Sequence, residues 1–150
     1  LPYTEAFISE VLRYSAQSRF VAPRTVMQDK QFGEYIIPKN SVIFGFTEAL
    51  HFNSKFFDSP KEFKPERFLS DIGKFDPPKE GFLPFGIGKR LCIGESLARM
   101  ELLIFVVTLV QHLEFTVPEG TSLNIEPDNI PLFNLPQLNQ NFVIFDRTAS

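Results

Sequence analysis

The sequence predicts an α+β fold that is mainly helical, with two core helices, small β-sheets and a long irregular segment. Two long segments, at the start of the chain and after residue 94, place apolar residues at helical spacing. Short runs of β-branched residues bounded by turn-forming residues indicate brief strands. Hydrophobic residues make up 43% of the 150-residue chain and include 18 Phe, which is enough apolar material for a core.

The first helix is predicted over residues 2–15. Pro2 suits the first turn of a helix, and Glu5 favours its positive end. Apolar side chains cover most of its surface, as is typical of a buried helix. Glu10 and Arg13 are one turn apart and share a face. If exposed, this pair would contribute only about 0–1 kcal/mol, whereas a buried pair would need a third polar partner.

A β-hairpin is predicted next, with strands at residues 34–37 and 41–44 joined by a Pro-Lys-Asn turn. Residues 47–84, which we call the meander, are rich in Pro, Asp, Lys and Phe and show no sustained periodicity. Short helical turns are expected in it near residues 51–57 and 60–63. The many phenylalanines indicate that the meander is packed although irregular.

The second long helix is predicted over residues 95–113. It contains the longest apolar run, residues 102–110, which is shorter than the ~20 residues needed to span a bilayer and is expected to be buried. Two short strands follow, near residues 114–117 and 142–146. Phe133, Asn134 and Leu135 are expected at the turn between them.

Charge and cysteine content exclude several classes of function. The net charge of −3 and the pI near 5.4 give no electrostatic support for nucleic-acid binding. A single cysteine cannot form an internal disulfide or a multi-cysteine zinc site, and it fits a reducing compartment. His51 and His112 show no zinc-binding spacing, so both are expected to be surface or hydrogen-bonded residues.

The lone cysteine lies in the most informative segment of the chain. Residues 85–94 read Phe-Gly-Ile-Gly-Lys-Arg-Leu-Cys-Ile-Gly, directly before the second long helix. Glycines let the backbone approach a ligand closely, and a helix start stabilises negative charge. A sulfur placed in this way could ligate a metal or act as a nucleophile. In an arbitrary chain, however, a lone cysteine is most often a small buried hydrophobe.

Phe85, Gly88, Arg90, Cys92 and Gly94 resemble, position for position, the haem-binding signature of the cytochrome P-450 family. The resemblance implies that Cys92 is the catalytic thiolate and the iron ligand of haem b, and that Arg90 pairs with a haem propionate. It implies that Phe85 packs beside the sulfur. The glycines that would let the backbone approach the porphyrin are Gly86, Gly88 and Gly94.

Two further segments match the family pattern in the right order. Lys-Pro-Glu-Arg-Phe at residues 64–68 offers Arg67, and by the resemblance Glu10, Arg13 and Arg67 form a structural triad that locks the fold around the haem pocket. The resemblance implies that Arg24, in the segment after the first helix, binds the second propionate; the alternative is a plain surface arginine. The substrate-facing residues implied by the family are Phe20, Val21, Ala22, Phe133, Asn134 and Leu135.

The resemblance implies a haem-thiolate monooxygenase of the microsomal animal type. Such an enzyme uses O₂ and electrons from a flavoprotein reductase to hydroxylate a lipophilic substrate. The basic residues that flank the cysteine segment form either a docking patch for an acidic electron donor or a merely solvated face; they are Lys74, Lys79, Lys89 and Arg99. The alternatives are a reductase-independent isomerase or dehydratase, and a non-catalytic remnant.

The resemblance also carries expectations about the rest of the protein. Residues 1–150 would be the C-terminal part of a single domain, inactive alone, whose upstream oxygen-activating helix and N-terminal membrane anchor lie outside the chain. The location implied is the cytosolic face of the endoplasmic reticulum membrane, with mitochondria as the alternative.

Overall fold

The computed structural model describes residues 1–126, 128–130, 132–137 and 140–147. Within these residues the helices are α1 (Pro2–Ser15), α2 (Thr47–His51) and α3 (Glu95–His112), together with 3₁₀ helices at Pro65–Phe68 and Gly88–Arg90. The strands are β1 (Arg24–Thr25), β2 (Lys30–Phe32), β3 (Tyr35–Ile37), β4 (Val42–Ile43), β5 (Leu113–Thr116), β6 (Asp128–Asn129), β7 (Asn134–Leu135) and β8 (Val143–Asp146).

Both long helices lie where the sequence predicts them. α1 has the predicted bounds, and its last turn is followed by Ala16 in the left-handed conformation, at φ 38°. α3 ends one residue earlier than predicted because the backbone becomes extended at Leu113 and continues into β5. The strands predicted near residues 114–117 and 142–146 are confirmed as β5 and β8, which pair antiparallel.

The predicted pairing of residues 34–37 with residues 41–44 is wrong. β3 pairs with β2, and β4 pairs with β1, in two separate antiparallel sheets. Gly33, at φ 59°, supplies the positive dihedral angle that a tight turn between β2 and β3 requires. The Pro-Lys-Asn turn does form, with Asn40 at φ 68°, but it connects strands of different sheets.

The meander is packed and irregular. The helical turn predicted near residues 51–57 is present after α2, where the N–H groups of Phe56 and Phe57 donate to the carbonyl of Asn53 at 3.0 and 3.1 Å. Near residues 60–63 the N–H of Glu62 donates to the carbonyl of Ser59 at 2.9 Å, which closes a single turn, and a 3₁₀ helix that the sequence does not predict begins at Pro65. Proline is tolerated at this first helical position because its missing N–H would have no intrahelical partner.

An aromatic core joins α1 to the meander. Ala6 of α1 is fully buried against Phe57 and Phe68, and the rings of Phe68 and Phe82 meet edge to face with centroids 4.9 Å apart. Edge-to-face rings add to the stability gained from burial alone. Partly buried residues that pack around this core are Phe56, Leu69, Phe75 and Phe82.

The expectation that residues 102–110 are buried is wrong for the described chain. α3 packs against α1, yet none of its residues is buried. The apolar side chains over the rest of its surface are exposed because they have no closely packed neighbour in the described residues. These exposed residues include Leu97, Met100, Ile104, Phe105, Leu109 and Val110. No helix of the described chain combines the length and the apolar character that crossing a bilayer requires.

Candidate functional site

A cavity of about 430 Å³ lies between the end of α1, the segment that follows it and the loop before α3. Its volume falls in the range of small-molecule and cofactor sites. Nine of the predicted site residues line it: Phe20, Val21, Ala22, Arg24, Phe85, Gly86, Arg90, Cys92 and Phe133. The structure thus brings together residues that are spread over more than a hundred positions of sequence.

The loop of residues 83–94, which we call the cysteine loop, is held by its own backbone. The N–H of Cys92 donates to the carbonyl of Phe85 at 2.9 Å, and the N–H of Gly86 donates to the carbonyl of Leu83 at 3.1 Å. Gly86 and Gly88 have φ values of 81° and 74°, which glycine adopts without steric cost. This path folds the loop back on itself and leaves the Cys92 side chain exposed at the cavity.

The start of α3 lies directly beside the sulfur. Gly94 is the N-cap of α3, and a Cβ atom added to it would lie 3.9 Å from the sulfur of Cys92. The free N–H groups and the positive end of the helix dipole therefore lie near the thiol. At Gly88 the φ of 74° by itself favours glycine, and no described protein atom lies within 4 Å of an added Cβ.

Two cationic side chains line the same cavity. Within the described part of the chain, the guanidinium groups of Arg24 and Arg90 have no hydrogen bond and no ion pair, although both residues are placed at the cavity wall. The resemblance implies haem at this site, and the residues present fit that group. The thiol can ligate iron, the two guanidinium groups can each pair with a propionate, and the apolar wall suits the porphyrin.

Glu10, Arg13 and Arg67 meet in the interior; we call these three residues the ion-pair cluster. Arg13 Nε lies 2.7 Å from one carboxylate oxygen of Glu10, and Arg67 Nε lies 3.2 Å from the other. Glu10 and Arg13 have no solvent exposure, and Arg13 also donates to the backbone carbonyls of His51, Pro60 and Glu62. The donors of both arginines are thus used to fasten the meander onto α1.

Asn134 and Leu135 lie apart from the cysteine cavity. Asn134 is almost fully buried and donates to the carbonyl of Ala16 at 3.2 Å and to a carboxylate oxygen of Glu48 at 2.9 Å. Both Asn134 and Leu135 line a second cavity of about 580 Å³ between α1 and the chain after β5. Of the three residues predicted at that turn, Phe133 alone is among the residues that line the cysteine cavity.

His51 is a residue of the site that sequence spacing does not reveal. It is 1% exposed, it lines the cysteine cavity, and its Nε2 accepts a hydrogen bond from the backbone N–H of Leu83 at 3.1 Å. Burial, together with the positive charge of Arg13, lowers the pKa of His51 to about 4. An isolated histidine in an irregular segment has no spacing pattern, so only the fold could show this contact.

The second histidine of the chain lies at the far end of α3 from the cysteine loop. His112 is exposed, and its ring shares a hydrogen bond with the carbonyl of Thr108. In residues 1–126 and the later described segments, no cluster of three histidine, cysteine or acidic residues could hold a metal ion. Arg99 forms an ion pair with Glu95 at 2.8 Å and stacks on the ring of Phe85, 5.0 Å from its centroid.

Comparison with known proteins gives a consistent result. The family model for cytochrome P450 matches residues 1–143. The chain is 40% identical to mouse cytochrome P450 2C44 over 137 residues, which are 91% of this chain and 28% of that protein. It is 38% identical to cat cytochrome P450 1A1 over 128 residues, 85% of this chain and 25% of that protein. The chain therefore spans about a quarter of the length of these curated relatives.

Proposed function

Because the chain belongs to the cytochrome P450 family, we propose that it is the haem-binding, C-terminal part of a single-domain haem-thiolate monooxygenase. One observation carries the proposal: the only thiol in the chain lines the same cavity as two unpaired guanidinium groups. The segment belongs to a longer protein in this proposal, since the aligned residues cover only 28% and 25% of the two relatives.

The roles proposed for the chain's residues follow from their chemistry. Cys92 would hold the iron of haem b through its sulfur, and Arg24 and Arg90 would each hold a propionate. Gly86, Gly88 and Gly94 would let the backbone lie close to the porphyrin. When bound, haem supplies O₂ activation, and a thiolate ligand favours cleavage of the O–O bond.

The remaining work of the chain is positioning and exclusion of water. Phe20, Val21, Ala22 and Phe133 supply apolar wall at the cavity, which suits a lipophilic substrate. We do not extend this role to Asn134 and Leu135, because they line the second cavity. The ion-pair cluster would act as scaffold, since its buried charges bind one another and backbone carbonyls and none of its members lines the cysteine cavity.

Partners and location are part of the same proposal. The electron donor would be an acidic surface of a flavoprotein reductase, docked near the exposed Lys74, Lys79 and Lys89. Arg99 contributes less to such a surface, because Glu95 already neutralises it. The proposed location is the cytosolic face of the endoplasmic reticulum membrane, which the rest of the protein would contact.

The carbon-monoxide difference spectrum of the reduced full-length protein tests the proposal. We expect a thiolate-type Soret band in the wild type and its complete loss in Cys92→Ser, because serine offers no thiolate to the iron. Ile72→Ser is the matched control, since it places the same residue at a meander position that is 76% exposed. An unchanged spectrum in Cys92→Ser would refute the assignment of the ligand.

Turnover separates the remaining chemistries. Hydroxylation that depends on reductase and O₂ supports the monooxygenase, whereas rearrangement of a peroxide without reductase would indicate an isomerase or dehydratase. A protein that shows the thiolate-type spectrum but neither activity would be a haem-binding protein and not an enzyme.

A further inference from the structure

His51 connects two parts of the molecule that are far apart in sequence. Its backbone carbonyl accepts a hydrogen bond from Arg13 Nη1 at 2.8 Å, and its ring accepts one from the N–H of Leu83 at 3.1 Å. Leu83 is the first residue of the cysteine loop, and its own carbonyl accepts from Gly86. A continuous path of hydrogen bonds thus runs from the ion-pair cluster, through His51, into the loop that carries Cys92.

The hydrogen bond fixes the state of the ring. A backbone N–H can only donate, so Nε2 of His51 must carry a lone pair, and the ring proton of the neutral form lies on Nδ1. The ring is 1% exposed and packs against Phe82, the residue before Leu83, with centroids 5.9 Å apart. Nδ1 is buried and has no hydrogen-bond partner in the described chain. The ring is therefore held by its contacts to residues 82–83.

We propose that His51 is a positioning residue for the thiolate ligand: its Nε2 acceptor fixes the start of the cysteine loop and so holds Cys92 at the haem. This inference rests on the proposed function, because it assigns His51 a role toward the ligand of that cofactor. Without the acceptor, the N–H of Leu83 would be left without its side-chain partner, and the loop would be freer to move the sulfur away from the iron.

Substitutions of His51 can distinguish its role as a hydrogen-bond acceptor from the role of its bulk. The amide oxygen of glutamine reaches the position of Nε2, whereas that of asparagine reaches only the position of Nδ1. His51→Gln therefore keeps an acceptor for Leu83, and His51→Asn and His51→Leu do not. His112→Leu is the control, because it makes the same chemical change at an exposed histidine.

The readout is the rate at which the reduced carbon-monoxide complex of the full-length protein loses its thiolate-type Soret band on mild heating. We expect His51→Leu and His51→Asn to lose it about tenfold faster than the wild type, with the haem content of the purified protein unchanged. His51→Gln and the control should stay close to the wild-type rate. Should His51→Leu fail to fold, the comparison between glutamine and asparagine decides the question alone.

Two results would overturn the inference: equal rates in all variants, or a glutamine variant that loses the band as fast as the leucine and asparagine variants. The second result would mean that the ring acts through its bulk and not as an acceptor. Absence of the thiolate-type band from the wild type is a different failure, since it refutes the proposed function itself.

Discussion

Two Glu–Arg pairs on two helices have almost the same geometry and opposite surroundings. In α1, Glu10 and Arg13 approach to 2.7 Å, and both side chains are fully buried. In α3, Glu95 and Arg99 approach to 2.8 Å, but their side chains are 25% and 36% exposed. The distance between the charged atoms therefore says little about what each pair contributes, because desolvation and further hydrogen bonds decide it.

The helices that carry these pairs differ in the same way. α1 buries charged side chains and is fastened to the meander by the donors of Arg13, while Tyr3 and Val11 on its outer surface are exposed. α3 exposes apolar side chains such as Leu97 and Phe105 and buries no residue. α1 is thus held to the meander both by the hydrogen bonds of the ion-pair cluster and by the aromatic core around Ala6, whereas α3 buries no residue in the described chain.

Glu10→Ala should have the largest effect on stability of the changes that test this comparison. The Glu10 carboxylate accepts from Arg13, Arg67 and the backbone N–H of Lys64, so its removal leaves Arg13 as an uncompensated buried charge. The expected cost is about 3–5 kcal/mol. We expect the full-length variant to fail to incorporate haem, which the ratio of haem to protein after purification measures.

Arg13→Ala should produce the same loss of haem, because it leaves the Glu10 carboxylate and three backbone carbonyls without their shared donor. Arg13→Lys preserves the charge but not the planar fork, so an intermediate haem content is expected. Normal haem content in purified Glu10→Ala would show that the ion-pair cluster is not required for the haem pocket.

Low pH should have the next largest effect on the stability of the α1 region, because it protonates His51. Burial and the charge of Arg13 lower the pKa of His51 from 6.5 to about 4, with a backbone hydrogen bond that involves Arg13 and the charge of Glu48 acting in the opposite direction. The unfolded chain protonates His51 more readily than the folded protein does. The stability that the neutral, buried ring contributes is therefore complete above about pH 6.5 and is lost as the pH falls toward about 4. The loss amounts to about 3 kcal/mol.

Urea unfolding of the full-length protein between pH 4 and pH 7 measures this effect. The wild type should lose stability steadily as the pH falls below 6.5, and His51→Gln, which has no titrating ring, should show a shallower decline. His112→Gln serves as the control, because that histidine is exposed. Identical acid profiles for wild type and His51→Gln would mean that the ring titrates as an exposed histidine does.

The sequence predicts local features of this fold better than its tertiary contacts. Helical spacing and the absence of interior Gly or Pro define α1 and α3 almost to the residue. The pairing of residues 34–37 was missed because two turns, at Gly33 and Asn40, compete for the same strand, and turn chemistry alone does not choose between them.

The residues of the site also differ in how far the sequence predicts them. Cys92 and Arg90 lie in one short segment, so the sequence motif identifies both. His51 acts through Leu83, which lies 32 residues later in the sequence, so the motif does not identify their contact. The exposure of α3 was missed because apolar spacing indicates which residues favour burial and not which surface of the chain covers them.

Glu95→Ala should have the smallest effect and completes the comparison. It removes a partly exposed partner of Arg99, and Arg99 keeps its stacking on the ring of Phe85. Loss of the pair and of a negative charge in the first turn of α3 should together cost less than about 1 kcal/mol. Urea unfolding of the full-length protein, at low and high salt, measures this cost, which should shrink as salt screens the exposed charges. The opposite outcome is a cost close to that of Glu10→Ala that does not change with salt. It would show that Glu95 and Arg99 are desolvated in the complete protein. The two helices would then differ less than they do in the described chain.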